Sequence, residues 1–325
     1  MEKFKTLTLP TSKILLAPLA GISSLAFRTI NRQAGCKFAF LEMISARSLS
    51  YSSKKTIEMM QTNSSDRPLG VQLLGSDPKY ILPSLEKLRE YPYDLLDFNA
   101  ACPQKKVTSN GKGAALLKEP KRLRDLLKIL VKESPLPVTV KIRIGWDSGK
   151  NAVDIAKHAE DAGISALCIH GRTRMQGYRR PLDYNAIREV KKSLKIPVIA
   201  SGEIWDWQLA KKMFDETGCD AITVARGSLG NPWIFKEIEE FLNEGVMPLR
   251  PSMEELGKTM KEHLNLDIEA RGERTATIEF RKFFIWYSRG MRNIKPLRGL
   301  VGFVKTQSQM VKLIEKLIAT GQQIS

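Results

Sequence analysis

The sequence predicts an α/β fold, a closed (β/α)₈ TIM barrel followed by a smaller all-α helical domain, and three observations predict it. Short apolar runs rich in β-branched residues recur eight times. Charged segments with apolar stripes at helical spacing lie between them. Beyond residue 245 helix formers dominate and no further strand is expected.

The runs are Lys13–Ala17, Phe38–Met43, Leu69–Leu73, Leu95–Phe98, Pro137–Ile142, Ala166–Ile169, Pro197–Ala200 and Ala221–Val224. The intervening patterns predict helices over Pro78–Arg89, Lys121–Lys132, Ala152–Ala162, Tyr184–Ser193 and Gln208–Glu216. Strands that are apolar almost throughout, alternating with amphipathic helices, imply a parallel sheet covered on both faces. Eight such units in about 230 residues fit a closed barrel better than an open sheet. Residues 1–245 are accordingly read as the barrel, and residues 246–325, punctuated by Pro248 and Pro251, as the helical domain.

Composition narrows the function classes. The 325 residues carry 52 Lys+Arg against 35 Asp+Glu, a net charge of +17. That exceeds what solubility needs and points to a polyanion, with RNA, DNA and acidic membrane all open on charge alone. The helical segment adds Arg271, Arg274, Arg281, Lys282, Arg289, Arg292, Lys295, Arg298 and Lys305, interleaved with Phe280, Phe283, Phe284, Trp286 and Tyr287. Taken singly, the aromatics are expected in the core of the bundle and the cations on its solvated face; as an ensemble these residues read as an RNA-facing bundle. The four cysteines, at 36, 102, 168 and 219, form no CxxC pair, so no zinc site or disulfide framework is expected. No long apolar span occurs, and a soluble cytoplasmic protein, a monomer, is expected.

Catalytic groups of such barrels stand at the C-terminal ends of the strands. There the chain places Pro18, Leu19 and Ala20, then Gln72, Asn99, Lys141 and Arg143, His170 and Arg172, Ser201-Gly202-Glu203, and Ala225-Arg226. A lysine can stabilise the negative charge of a reduced flavin, an amide can bond its pyrimidine edge, and Gly-rich turns can bind a phosphate through backbone amides.

The most informative stretch runs Leu95-Leu96-Asp97-Phe98-Asn99-Ala100-Ala101-Cys102-Pro103 and continues through Val107 to Gly111, Gly113 and Ala114. Asn99, Cys102, Pro103, Val107, Gly113 and Ala114 together resemble the signature of the tRNA-dihydrouridine synthases. Leu229-Gly230-Asn231-Pro232-Trp233-Ile234-Phe235 is similar to the B-type and general bacterial members. Ala101 stands where the family usually has Gly; if that position needs positive φ, Ala costs about 1 kcal/mol. Ser201-Gly202-Glu203 stands where Asn-Gly-Asp is common, and Ala225-Arg226 where Gly-Arg is common.

The resemblance implies FMN as cofactor and NADPH as electron donor, with reduction of the C5–C6 double bond of uridines in the tRNA D-loop. It implies a hydride from reduced FMN to C6 and a proton from Cys102 to C5. Pro18, Leu19, Ala20, Gln72, Lys141, His170, Ser201, Gly202, Glu203, Ala225 and Arg226 then hold the flavin, and Asn99, Arg143 and Arg172 hold the base. No metal, membrane or DNA is implied. A thiol suits the proton donor, because its ordinary pKa of about 8.5 keeps it largely protonated at neutral pH. A ribosomal RNA target, a small-molecule FMN barrel reductase and a non-catalytic RNA-binding factor are the other readings, and the charge of +17 disfavours the small-molecule one.

Overall fold

The computed structural model describes residues 12–147, 151–320 and 322–323. The chain divides into two compact units, one of Met1–Ser24 with Lys37–Ala225 and one of Leu25–Cys36 with Arg226–Ser325. The predicted first strand begins within the described residues, and the tail of the helical segment ends outside them.

The first unit is the barrel. Its strands are β1 (Ile14–Leu16), β2 (Ala39–Ser45), β3 (Leu69–Leu74), β4 (Leu95–Asn99), β5 (Val138–Arg143), β6 (Ala166–His170), β7 (Val198–Ser201) and β8 (Ala221–Val224). They close in chain order, β8 pairing parallel with β1. The fold is therefore the predicted (β/α)₈ barrel, with strand ends within a few residues of expectation.

The helices follow from sequence in the ordinary way. The helix Pro120–Glu133 buries Leu123, Leu126, Leu127 and Leu130, spaced three and four apart on one face. Each such leucine contributes about 1.5–3 kcal/mol by leaving water. Asp77, Asp183 and Asp206 cap the helices Pro78–Leu88, Tyr184–Ser193 and Trp207–Thr217 by accepting hydrogen bonds from Lys79, Ala186 and Leu209 amides.

Register determines what fills the barrel. Leu15, Phe38, Phe40, Leu95, Ala166, Cys168, Ile199 and Ala221 form one apolar interior cluster. Gly70 is required in β3 because the Phe40 ring lies where a β-carbon would stand, at 2.4 Å. Alternation along each strand then turns Gln72, Asp97 and Asn99, and Thr139, Lys141 and Arg143, to the same interior face. Gln72 pairs with Asp97, Asp97 with Thr139, Asn99 with Lys141, and Arg143 with His170. A polar storey thus sits on the apolar floor toward the C-terminal rim.

The second unit is helical: Leu25–Gln33, Ile234–Glu244, Met253–Arg271, Glu273–Tyr287, Lys295–Val301 and Gln307–Thr320. One expectation is corrected here, since Met291–Arg292 and Gln322–Gln323 pair as short antiparallel strands. Two-residue pairings have no periodicity to read in a sequence. Phe280, Phe283, Phe284 and Tyr287 are buried, so these rings form the core of the unit, as expected of each taken singly. Fully buried His263 packs 4.4 Å from the Phe283 ring and bonds Tyr287 Oη through Nδ1 at 3.1 Å. Of the cations, Arg271 bonds Asp267, Arg281 bonds the Val304 carbonyl, Lys282 bonds Glu279, and Arg298 bonds the Ser288 carbonyl. Arg274, Arg292, Lys295 and Lys305 are exposed.

Candidate active site

β4 ends at Asn99 and delivers the chain into the turn that carries Cys102. Cys102 is half-buried, whereas Cys36, Cys168 and Cys219 are buried. Asn99 Oδ1 accepts from the amides of Ala101 at 3.0 Å and Cys102 at 2.9 Å, which tightens the turn around the thiol. From the other side the Ala114 amide donates to the Cys102 carbonyl at 3.1 Å. Gly113 makes that approach possible: at φ +58° it lies where a β-carbon would meet the Cys102 carbonyl oxygen at 2.8 Å. Ala101 is not among the described non-glycine residues with positive φ, so Ala in place of Gly brings no left-handed strain.

Around the same rim, Lys141 Nζ donates to Ser201 Oγ at 2.8 Å and lies 3.3 Å from Cys168 Sγ. His170 Nδ1 donates to the Ser201 carbonyl at 3.1 Å. Burial, reinforced by the Arg143, Lys141 and Arg172 cations, holds this imidazole well below its ordinary pKa. His170 is therefore neutral, and its buried Nε2, with no hydrogen-bond partner among the described residues, is an acceptor. It suits an N–H group rather than a carbonyl.

The two arginines have defined work. Arg143 donates from Nε to the Ala101 carbonyl at 2.8 Å and from Nη1 to the Thr173 and Gly177 carbonyls at 3.0 Å. It ties the Cys102 turn to the loop after β6. Burial lowers its pKa, and Tyr178 and Cys102 oppose that fall. Arg172 is fully buried and ion-paired with Glu203. Glu203 has φ +52°, an uncommon backbone state for a non-glycine residue, and the ion pair helps hold it there.

Pro18 and Leu19 are half-buried and Ala20 is exposed, in a turn where the Leu19 amide is bonded by Ser23 Oγ at 2.9 Å. Ala225 closes the first unit and exposed Arg226 opens the second. Cys102, Gln72, Asn99, Lys141, Arg143, His170, Arg172, Ser201, Gly202 and Glu203 all belong to the first unit.

Three residues of this rim escape a sequence reading. Buried Asp97 accepts from Gln72 Nε2 at 2.6 Å and from Thr139 Oγ1 at 2.7 Å. Tyr178 lies 6.0 Å from the His170 ring, edge to face, and 5.2 Å beneath the Arg143 guanidinium. The only signal for Asp97 and Thr139 is a polar residue at every second place in an apolar strand. Tyr178 sits in an arginine-rich loop without period.

Polar chemistry gathered at one rim of a closed parallel barrel defines a barrel enzyme. The family model described as Dihydrouridine synthase (Dus) matches residues 15–323. tRNA-dihydrouridine synthase B of Pasteurella multocida is 36% identical over 86% of this chain and 85% of its own. The same-named protein of Vibrio vulnificus is 37% identical over 85% of this chain and 86% of its own. The chain belongs to the dihydrouridine synthase family. Among solved structures, histamine dehydrogenase from Rhizobium sp. 4-9 is similar in fold alone, with a TM-score of 0.57 and 11% identity over 81% of this chain and 50% of that one.

Proposed function

We infer that this chain reduces uridines of the tRNA D-loop to 5,6-dihydrouridine, with FMN as its flavin and NADPH as electron donor. Residues 1–245 carry the chemistry and the helical residues 246–325 grip the RNA backbone. The observation that carries this reading is the setting of Cys102, a half-buried thiol held at the end of β4 by Asn99 and by the Ala114 amide.

The residues at the rim fit a flavin. His170 Nε2 is a buried acceptor without a partner among the described residues, and Lys141 presents a cation fixed by Ser201. Pro18, Leu19, Ala20 and Gln72 would line and bond the ring, and Ser201, Gly202, Glu203, Ala225 and Arg226 would hold the phosphate. When bound, the flavin supplies the hydride for C6 of the base. Lys141 would favour negative charge on it by electrostatics. Neutral His170 adds no further positive charge and leaves that task to Lys141.

Cys102 Sγ gives its proton to C5 on the other face of the base. Asn99 shapes the turn that presents it; its Nδ2 is engaged by Gln72 Oε1 at 2.7 Å and Met43 Sδ at 3.2 Å. Arg143 and Arg172 hold the base, Arg143 also bracing the Cys102 turn. Because the target atoms lie inside a stacked RNA, the uridine must be turned out to reach a rim residue. Cys102→Ala tests the reading: the variant keeps flavin and slow NADPH oxidation by oxygen and loses dihydrouridine formation. Unchanged dihydrouridine formation removes Cys102 from the mechanism.

A further inference from the structure

Asp97 lies in the middle of β4, buried, with Leu96 and Phe98 beside it in sequence. Its two oxygens begin a single buried chain of hydrogen bonds. Thr139 Oγ1 donates to Oδ1 at 2.7 Å and Gln72 Nε2 to Oδ2 at 2.6 Å. Gln72 Oε1 then accepts from Asn99 Nδ2 at 2.7 Å, and Asn99 Oδ1 accepts from the Ala101 and Cys102 amides at 3.0 and 2.9 Å. Gln72, Asn99 and Thr139 are buried with it, so water cannot substitute for a lost partner.

An amide side chain has two ends, and a half-turn exchanges its donor for its acceptor. Burial raises the pKa of Asp97, opposed by the Gln72 and Thr139 hydrogen bonds and the Lys141 charge, and as a carboxylate with both oxygens accepting it offers only acceptors. Facing Asp97, Gln72 must present Nε2; Oε1 then faces Asn99, which must answer with Nδ2; Asn99 Oδ1 is left for the two amides. Reversing Gln72 would set oxygen against oxygen at Asp97 and N–H against N–H at Asn99, and reversing Asn99 would set N–H against N–H at the Cys102 turn.

We propose that Asp97 is a positioning residue for Cys102, its carboxylate setting the direction of donation through Gln72 and Asn99 to the Cys102 amide. The proposal rests on the reading of Cys102 as proton donor. Asp97 acts through the chain and touches no reacting atom. Thr139 supports it by occupying the second oxygen.

The test uses the FMN-loaded protein and Asp97→Asn, which can face Gln72 with either end. Hydrogen exchange at the Ala101 and Cys102 amides should quicken on the order of tenfold, the measure of one weakened bond, with the amides of β4 and β5 unchanged. Single-turnover uridine reduction should fall about 10- to 100-fold while flavin reduction by NADPH stays within about twofold. The double variant Asp97→Asn with Gln72→Glu restores the order of donors and acceptors and the charge, so protection at Ala101 and Cys102 should return. If Asp97→Asn does not fold, the double variant alone decides: wild-type protection at these two amides supports the proposal and its loss overturns it. Quickening spread through β4 and β5, or none at Ala101 and Cys102, also overturns it. Cys102→Ala separates the two claims: dihydrouridine formation that survives it defeats the proton-donor reading, whatever the exchange data show.

Discussion

Asn99 Oδ1 stands 2.9 Å from the Cys102 amide nitrogen, so the strand-end amide holds the backbone of the thiol-bearing residue three places further along. This bond and its partner at Ala101 make Asn99 a determinant of where the thiol points. Asn99→Ala should leave flavin binding intact and slow single-turnover uridine reduction on the order of 100-fold, the usual result of displacing a reacting group by about 1 Å. Rapid-quench counting of dihydrouridine checks it. A loss of flavin with no kinetic defect in the remaining holoenzyme would place Asn99 at the cofactor instead.

Gly113 offers a second route to the same turn. A β-carbon there meets the Cys102 carbonyl oxygen at 2.8 Å and Cys102 Cβ at 3.0 Å, at a backbone φ of +58°. Both neighbours belong to a tied turn and cannot yield cheaply. Gly113→Ala should cost about 1–3 kcal/mol by denaturant unfolding and change the alkylation rate of Cys102, read by peptide mass spectrometry.

Acid should weaken the helical unit through His263. Burial first, then the Arg271 and Lys282 charges, lowers this imidazole to about 3. The unfolded chain takes up the proton near pH 6.5 and the folded one does not, so stability is fully present above about pH 6.5 and is lost as pH falls toward about 3. At pH 5 the loss from this group approaches about 2 kcal/mol. Asp267, whose pKa burial raises, acts with the opposite sign at pH values above its ordinary 3.8. Imidazole NMR of the folded protein checks the His263 claim directly: the ring should remain neutral at pH 5.

The strand ends were the legible part of the site. An apolar run stopping at Asn99, Arg143 or His170 marks both the strand and the rim, because a parallel barrel gathers every such end at one mouth. Asp97 and Thr139 were not legible, since a polar residue within an apolar strand gains meaning only when register sets Gln72, Asp97 and Thr139 side by side. The role of Gly113 depends on a close approach of two loops, which no local pattern encodes. The helical aromatics were legible one by one: Phe280, Phe283, Phe284 and Tyr287 are buried as the bundle core, while which of the interleaved cations stay free of partners within the unit depends on packing. The leading expectation of eight strands needed none of this, because strand period and spacing are local properties.

RNA gripping by the second unit can be separated from its folding. Arg274, Arg292, Lys295 and Lys305 are exposed, so replacing them with Ala should leave the unit folded. Each replaced phosphate contact should lower tRNA affinity and reduce the salt slope by about one unit in log–log form. Titration of tRNA at several salt concentrations reads both, and an unchanged slope would place the RNA surface elsewhere.

Reduction of uridine in tRNA by this chain can be read in a single reaction. The most direct measurement incubates the FMN-loaded protein with NADPH and an unmodified tRNA transcript and counts dihydrouridine by mass spectrometry of the digested RNA. Dihydrouridine should form within the D-loop with the wild-type protein and be absent with Cys102→Ala. NADPH consumed by a yellow, folded protein with no dihydrouridine in the tRNA would contradict it.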